Sequence, residues 1–459
     1  MLSLTTTKGC WTCKDRKIAC DKHIPGCKNC LRSKRRCLGY GIRLSWPRKD
    51  DRKRALVSNN PDREGSVCTL LHPTEFVNVY ASDVNMYFSM HNSGHNVARL
   101  LTSANNSSIQ NLVFRMSFTD TSPSSNAILY AVYALSSQHL LDHSRALEYK
   151  SLARSAVWTS TSQPPSIQNT LQCIVAVLLL ALYESFASPN ASQAWAASIC
   201  YCKTATIATY ALDKSYEGDL ALVLDWVYYY DVHSKFAVRH FDRRVVSMLD
   251  CARKKNLHYV ELNSPCKTRV VPTLGCSLEV LNSISSVIDT VLEMEIDNDP
   301  HVDELDKLER RLKFTKQEFV ESPDDVLEFN PQSPKIAELY RLAGLIYLHR
   351  AGRKTITVKH ILQGLVEEAF TVLQALETCE RSFPLFIVGC EARSDRRRAI
   401  VLGILKATQI QFAESNVLRV RAFIERFWAQ DDLDPNQDID YSSRVTAVLS
   451  RTDCLPVFS

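Results

Sequence analysis

Apolar residues along most of this chain recur at the three- and four-residue spacing of helices rather than alternating with polar ones. Prolines interrupt this pattern at several points, among them Pro164, Pro189 and Pro265. The spacing predicts helices over the segments 125–141, 167–187, 193–212, 217–237, 335–351, 359–380, 396–414 and 416–430. We therefore expect a mostly α protein, with one large all-α domain over residues 67–459.

No segment of the sequence predicts a membrane span or a secretory leader. The longest uninterrupted apolar run, 174–183, is shorter than the roughly 20 residues that cross a bilayer, and indicates a buried helix. Lys8 and Cys10 come before any apolar leader could form. We expect a soluble intracellular protein with no membrane partner.

Six of the sixteen cysteines form a regular pattern near the start of the chain, in which Cys-x2-Cys-x6-Cys occurs twice. Zinc takes four ligands, so three thiolates from each half can satisfy two ions only if two sulfurs are shared. The expected ligands of two Zn2+ ions are Cys10, Cys13, Cys20, Cys27, Cys30 and Cys37. The other ten cysteines are scattered and are best explained as small apolar residues.

Charge is distributed very unevenly along the chain. Residues 1–54 hold 16 Lys and Arg against four Asp, a net charge of +12, whereas the remainder carries −7. Such a basic segment favours a polyanionic partner. A purely structural zinc knot is the alternative, but it does not need the cations that follow both Cys-x2-Cys pairs.

Residues 10–37 resemble the fungal Zn2Cys6 binuclear-cluster family in all six cysteines and in the 25–26 Pro-Gly loop. The resemblance implies that Cys10 and Cys27 bridge the two metals, that Cys13 and Cys20 complete one site, and that Cys30 and Cys37 complete the other. It further implies that Lys17, with Arg16 before it, contacts bases of a GC-rich, CGG-like triplet in double-stranded DNA. Phosphate contacts are expected from Lys14, Arg32, Lys34, Arg35 and Arg36.

The resemblance and the composition together predict three parts: a DNA-binding domain over 1–47, a basic flexible linker over 48–66, and the helical domain. Two glycines, Pro47 and a dense run of charge after Cys37 leave no room for the heptads of a coiled coil. Within the linker we favour a nuclear-import signal over a merely solvated segment, and expect the protein in the nucleus. Its residues are Arg48, Lys49, Arg52, Lys53 and Arg54.

The large domain is similar to the fungal-specific transcription factor domain of the second subgroup. The likeness is carried by stretches 134–139, 180–184, 226–231 and 383–391, and by the stretch that ends at Trp46. It implies a helical regulatory domain. Polar residues inside its apolar helices, Glu184, His139 and Asp231, either line an effector pocket or, more commonly, are satisfied core groups.

Residues 291–330 are acidic, with 13 Asp and Glu against five Lys and Arg. We favour a surface segment, while recruitment of the transcription machinery or a dimer seam of Leu305, Leu308 and Leu312 are alternatives. No phosphate-binding loop, nucleophile elbow or metalloprotease motif is present, so an enzyme is not expected. The sequence therefore predicts a zinc-dependent, sequence-specific regulator of RNA polymerase II genes, with coregulators and a homodimer as further partners. The alternative is a nuclear corepressor that does not read DNA.

Overall fold

A computed structural model describes two separate units, Met1–Asn78 and Val79–Ser459. The described residues are 9–23, 27–35, 37, 107–139, 142–164, 166–187, 194–212, 216–241, 264, 267–297, 299–319, 331–353, 359–412, 415–433, 440–450 and 458. The predicted linker, 48–66, lies outside them. In the first unit the described helices are α1 (Trp11–Asp15) and α2 (Lys28–Arg32), each five residues long.

The second unit is built from helices, which confirms the predicted mostly α fold. Its described helices are α3 (Ser107–Ser117), α4 (Pro123–His139), α5 (His143–Thr161), α6 (Ile167–Ala187), α7 (Ala194–Leu212), α8 (Gly218–Arg239), α9 (Leu278–Asp297), α10 (Val302–Phe314), α11 (Ser333–Tyr347), α12 (Lys359–Gln374), α13 (Ser382–Cys390), α14 (Asp395–Phe412), α15 (Ser415–Leu433) and α16 (Tyr441–Leu449). A short π-helix, Leu348–Gly352, continues α11, and two strands, β1 (Val270–Val271) and β2 (Cys276–Ser277), pair antiparallel.

Helix α6 lies at the centre of the N-terminal half of this unit, where it packs against α4, α5, α7 and α8. Its segment Ile167–Ser185 is long and apolar enough to cross a membrane by length and composition alone. However, 67% of that window is buried within the unit. A core helix passes the same test, and the packing of α6 accounts for its composition.

An aromatic cluster holds the C-terminal half together. The Phe236 ring of α8 meets the rings of Tyr347, Phe383 and Phe458 edge-on, at centroid distances of 5.4, 5.1 and 5.2 Å. Edge-to-face geometry places the positive edge of one ring on the negative face of another. Helices α11 and α13 and the C-terminal Phe458 therefore converge on one side chain of α8.

The β1–β2 hairpin is fastened to this core by a buried arginine. Arg381 donates to the carbonyls of Thr273 and Pro272, at 3.1 and 2.9 Å. The turn needs glycine because Gly275 has φ +74, and a Cβ there would lie 2.8 Å from Nε of Arg381.

Two of the three polar residues singled out in apolar helices are paired core groups. Asp231 accepts from the Lys203 ammonium at 2.9 Å, with both side chains almost fully buried, and Glu184 pairs with Lys150 at 2.7 Å. The side chain of His139 lies outside the described residues. The other described cysteines, Cys173, Cys200, Cys202, Cys276, Cys379 and Cys390, are buried thiols, as predicted.

The acidic segment contains a core helix. Leu305, Leu308 and Leu312 on α10 are buried against α9 and α11. A dimer seam built from these leucines is therefore wrong, because their side chains are already used within the chain. Glu309 of α10 forms an ion pair with Arg353, the residue that follows the π-helix.

Candidate metal centre and nucleic-acid interface

The sequence repeat of the first unit is also a structural repeat. Helix α1 starts directly after Cys10 and carries Cys13, and α2 starts directly after Cys27 and carries Cys30. The turn that follows each helix contains an equivalent backbone hydrogen bond. Ile18 N–H donates to the Cys13 carbonyl, and Arg35 N–H donates to the Cys30 carbonyl, both at 3.0 Å. The two halves thus present the same helix and turn.

Four cysteine sulfurs converge where the two halves meet. The Sγ atoms of Cys10 and Cys30 are 3.7 Å apart, and those of Cys13 and Cys27 are 3.5 Å apart. All four lie within 4.8 Å of one another. Tetrahedral zinc with bonds of about 2.3 Å separates its sulfur ligands by roughly 3.8 Å, so the donor spacing fits zinc.

The remaining two cysteines of the repeat lie at the edges of this group. The Sγ of Cys20 accepts the N–H of Cys10 at 3.3 Å, and the Sγ of Cys37 accepts the N–H of Cys27 at 3.5 Å. Cys20 also shares a group of closely spaced ligand atoms with Asp21 and Cys27. Cys27 therefore belongs to both groups of closely spaced ligand atoms.

The sulfurs differ in how readily they lose a proton. Burial raises the pKa of Cys10 far above its ordinary value and that of Cys27 to about 12. Burial opposes ionisation at Cys20 as well, but N–H donation from Cys10 and Lys22 brings its pKa down to about 7. Crowded, buried sulfurs exist as thiolates only beside cations, and two Zn2+ ions supply that charge.

Two polar side chains also link the halves through backbone groups, and sequence reasoning missed both. The Asp21 carboxylate accepts the N–H of Lys28 at the start of α2, at 2.9 and 3.1 Å. The side-chain amide of Asn29 donates to the Ala19 carbonyl at 2.9 Å. These bonds fix the start of α2 against the end of the first half.

The cations predicted to meet DNA lie on the exposed surface of this unit. Lys17 and Lys34 occupy equivalent positions, both with left-handed backbone, at φ 55 and 50. The guanidinium of Arg16 reaches across to the Ser33 hydroxyl at 3.4 Å, and Lys14 lies over the Trp11 ring at 4.4 Å. Arg32 and Arg35 are also exposed. Arg36 and the basic run Arg48, Lys49, Arg52, Lys53 and Arg54 lie outside the described residues.

Comparison with known proteins identifies the class to which this arrangement belongs. The profile of the fungal Zn(2)-Cys(6) binuclear cluster domain matches residues 8–47, and that of the fungal specific transcription factor domain matches residues 87–450. The chain therefore belongs to the fungal Zn2Cys6 transcription factors. Its cofactor is a pair of zinc ions, held in the cysteine-rich module.

Three curated relatives illustrate how the likeness is distributed. Transcription factor iacI of Pestalotiopsis fici is 26% identical over 353 residues, which are 76% of this chain and 88% of that protein. White-opaque regulator 2 of Candida albicans is 32% identical over 114 residues, 25% of each chain. Arginine metabolism regulation protein II of Saccharomyces cerevisiae is 49% identical over 41 residues, 9% of this chain and 5% of that one. No solved structure matches.

Proposed function

We propose that this protein is a nuclear, sequence-specific regulator of RNA polymerase II genes, and that it reads a GC-rich, CGG-like triplet through Lys17 and Arg16. The observation that carries the proposal is the position of Lys17, exposed in a left-handed turn directly after α1. A long cation at the end of a short helix can reach the O6 and N7 acceptors of guanine in the major groove.

The equivalent turn of the second half has a different task. We assign Lys34 to the phosphates, together with Lys14, Arg32, Arg35 and Arg36, because a dense set of cations beside a single reading helix neutralises the backbone on either side. Arg16 must break its hydrogen bond to the Ser33 hydroxyl before it can contact a base, so we assign Lys17 as the principal base contact.

The proposal includes how the six cysteines share the two zinc ions. We assign Cys10 and Cys27 as bridges, with Cys13 and Cys20 completing one zinc and Cys30 and Cys37 the other. The short separations Cys13–Cys27 and Cys10–Cys30 support this division, because each joins a bridge to a ligand of the same ion. A protein of this design binds and regulates, and we propose no enzymatic reaction for it.

The test is selection from a randomised duplex pool by the zinc-loaded full chain, compared with Lys17→Ala and its structural counterpart Lys34→Ala. Wild type is expected to enrich one GC-rich triplet. Lys17→Ala should lose discrimination at one or two positions, at about 1–3 kcal/mol per lost base contact. Lys34→Ala should keep the selected sequence, bind more weakly, and reduce the salt dependence by about one phosphate contact.

Zinc content decides how a negative result is understood. With two zinc ions per chain and no enriched sequence at moderate salt, direct reading by this module is wrong, and a corepressor carried to DNA by another protein replaces it. If both variants lose sequence preference equally, the proposed division between base and phosphate contacts is wrong. Gel-filtration mass of the same preparations tests homodimerisation, which the helical unit would provide.

A further inference from the structure

Three arginines gather where the π-helix, α13 and α16 meet in the helical unit. Arg350 of the π-helix donates through Nε to Glu391 at 2.7 Å and forms a second bond to the other oxygen of that buried carboxylate. Arg444 of α16 pairs with Asp431 and lies over the Phe427 ring at 5.6 Å. Arg393 follows Glu391 by two residues and is exposed.

This cluster carries one positive charge more than its own carboxylates neutralise. Glu391 and Asp431 are each already paired, and no ion pair to Arg393 occurs among the described residues. Burial lowers the pKa of Arg444, and the nearby cations Arg393 and Arg350 lower it further. Like charges held together in this way favour the entry of an anion.

Two buried hydrogen-bond donors of α16 lack an acceptor within the described structure. The Tyr441 hydroxyl and Nε of Arg444 are both buried, and neither has a partner within the described structure. Tyr441 is only 9% exposed. These residues are three apart on α16 and so share one face of the helix. A buried donor left unsatisfied costs about 1–3 kcal/mol, so an acceptor supplied from outside would be stabilising.

The Tyr441 hydroxyl is close to the charges of the cluster. Burial raises its pKa well above the ordinary value, Glu391 adds to the rise, and Arg350 opposes it. The phenol therefore keeps its proton and acts as a donor at neutral pH. The rim of the cluster is exposed to solvent, because the side chains of Arg350 and Arg444 are 24% and 13% exposed, while the Tyr441 hydroxyl and Nε of Arg444 lie beneath it.

We propose that Arg393, Tyr441 and Arg444 form a binding site for a small oxyanion, the phosphate or carboxylate group of a metabolite. One oxyanion supplies the missing negative charge and has enough lone pairs for both unsatisfied donors and the Arg393 guanidinium. Two stretches that are distant in sequence, 390–393 and 441–444, would be joined through it. The site goes beyond DNA recognition and lies in the helical unit.

Calorimetric titration of the zinc-loaded full chain with inorganic phosphate, and separately with succinate, tests the site at constant ionic strength. At least one probe is expected to bind saturably at one equivalent per chain. Arg393→Gln and Tyr441→Phe should each weaken that binding tenfold or more. Arg154→Gln, which removes an exposed arginine of α5, should leave it unchanged. Thermal unfolding of each variant verifies that it is folded.

The outcomes are decisive in either direction. Binding of phosphate alone identifies a phosphate site, and binding of succinate alone identifies a carboxylate site. Saturable binding by neither probe overturns the proposal, as does binding that persists in both Arg393→Gln and Tyr441→Phe, since the anion is then held by another basic segment. DNA selection by the same preparations is expected to be unaffected, which separates failure here from failure of the proposed function.

Discussion

At the scale of single residues, the environment of Asp225 makes the stability of the helical unit depend on pH. Asp225 is a buried residue of α8. Burial raises the pKa of its carboxyl to about 7, although the Tyr216 hydroxyl donates a hydrogen bond to it, which opposes the rise. The unfolded chain has the ordinary value of 3.8. Between about pH 4 and pH 7 the folded state therefore binds more protons than the unfolded state, and the free energy of unfolding falls as pH rises.

Replacing Asp225 by asparagine removes this dependence. The free energy of unfolding of Asp225→Asn, relative to wild type, should rise by about 2.5–3 kcal/mol from pH 5 to pH 8, since the folded-state pKa lies about two units above pH 5 and one pKa unit corresponds to about 1.4 kcal/mol. Urea unfolding of the helical unit, followed by circular dichroism at both pH values, measures the gain. The exposed Asp303→Asn is the control, and an equal gain in both variants would contradict this account of Asp225.

The residues of the zinc module divide into those that spacing reveals and those that only the fold reveals. Six cysteines at repeated intervals predict a two-metal site without any structure, because zinc coordination fixes how many sulfurs are needed. Asp21 and Asn29 bond to backbone groups seven and ten residues away. No local pattern specifies such partners, since they meet only when the two halves come together.

At the scale of elements, two long apolar helices were predicted closely, whereas other helices were missed, among them α10, although its buried Leu305, Leu308 and Leu312 follow helical spacing. The expected segments 167–187 and 193–212 match α6 and α7 to within one residue. Helices α3, α5, α9, α10, α13 and α16 were not predicted individually. Helix α5 has a largely polar, exposed surface, and α13 is buried on every side, so neither shows one apolar stripe.

The end of α12 shows why helix boundaries were less predictable than helices. The periodicity extends to residue 380, whereas α12 ends at Gln374. Backbone groups beyond it find other partners: the side chain of Gln332 accepts the N–H of Glu377 at 2.9 Å, and the Thr408 hydroxyl accepts that of Cys379 at 2.9 Å. Long-range acceptors replace the next turn of the helix, which the sequence of α12 does not reveal.

Close packing of α13 against α15 gives a prediction at this scale. A Cβ at Gly389 would lie 2.6 Å from Cδ1 of Ile424, whereas one at Gly403 of α14 would meet nothing within 4 Å. Gly389→Ala should cost about 1–3 kcal/mol through overpacking. Gly403→Ala should instead stabilise by about 0.5–1 kcal/mol through helix propensity. Denaturant unfolding of both variants provides the comparison, and a neutral Gly389→Ala would show that the Ile424 side chain moves aside easily.

At the scale of the whole molecule, the chain combines two units stabilised by different means. The core of the first consists of cysteines, whereas that of the second is a large cluster of aliphatic and aromatic side chains. Uneven charge and the position of the cysteines predicted this division from sequence. The predicted boundaries, 47 and 66, stay predictions because they lie outside the described residues.

Removing the metal should therefore unfold one unit and spare the other. A small thiolate module has little apolar area to bury, so metal binding supplies its folding free energy, whereas the helical unit obtains stability from its own core. Excess chelator is expected to release two zinc ions per chain and abolish DNA binding, while the melting temperature of the helical unit changes by less than about 2 °C, equivalent to under 1 kcal/mol. A larger fall in this melting temperature on chelation, reversed by zinc, would mean that the stability of the helical unit depends on the folded zinc module. Loss of zinc would then destabilise the regulatory unit as well as abolish DNA binding.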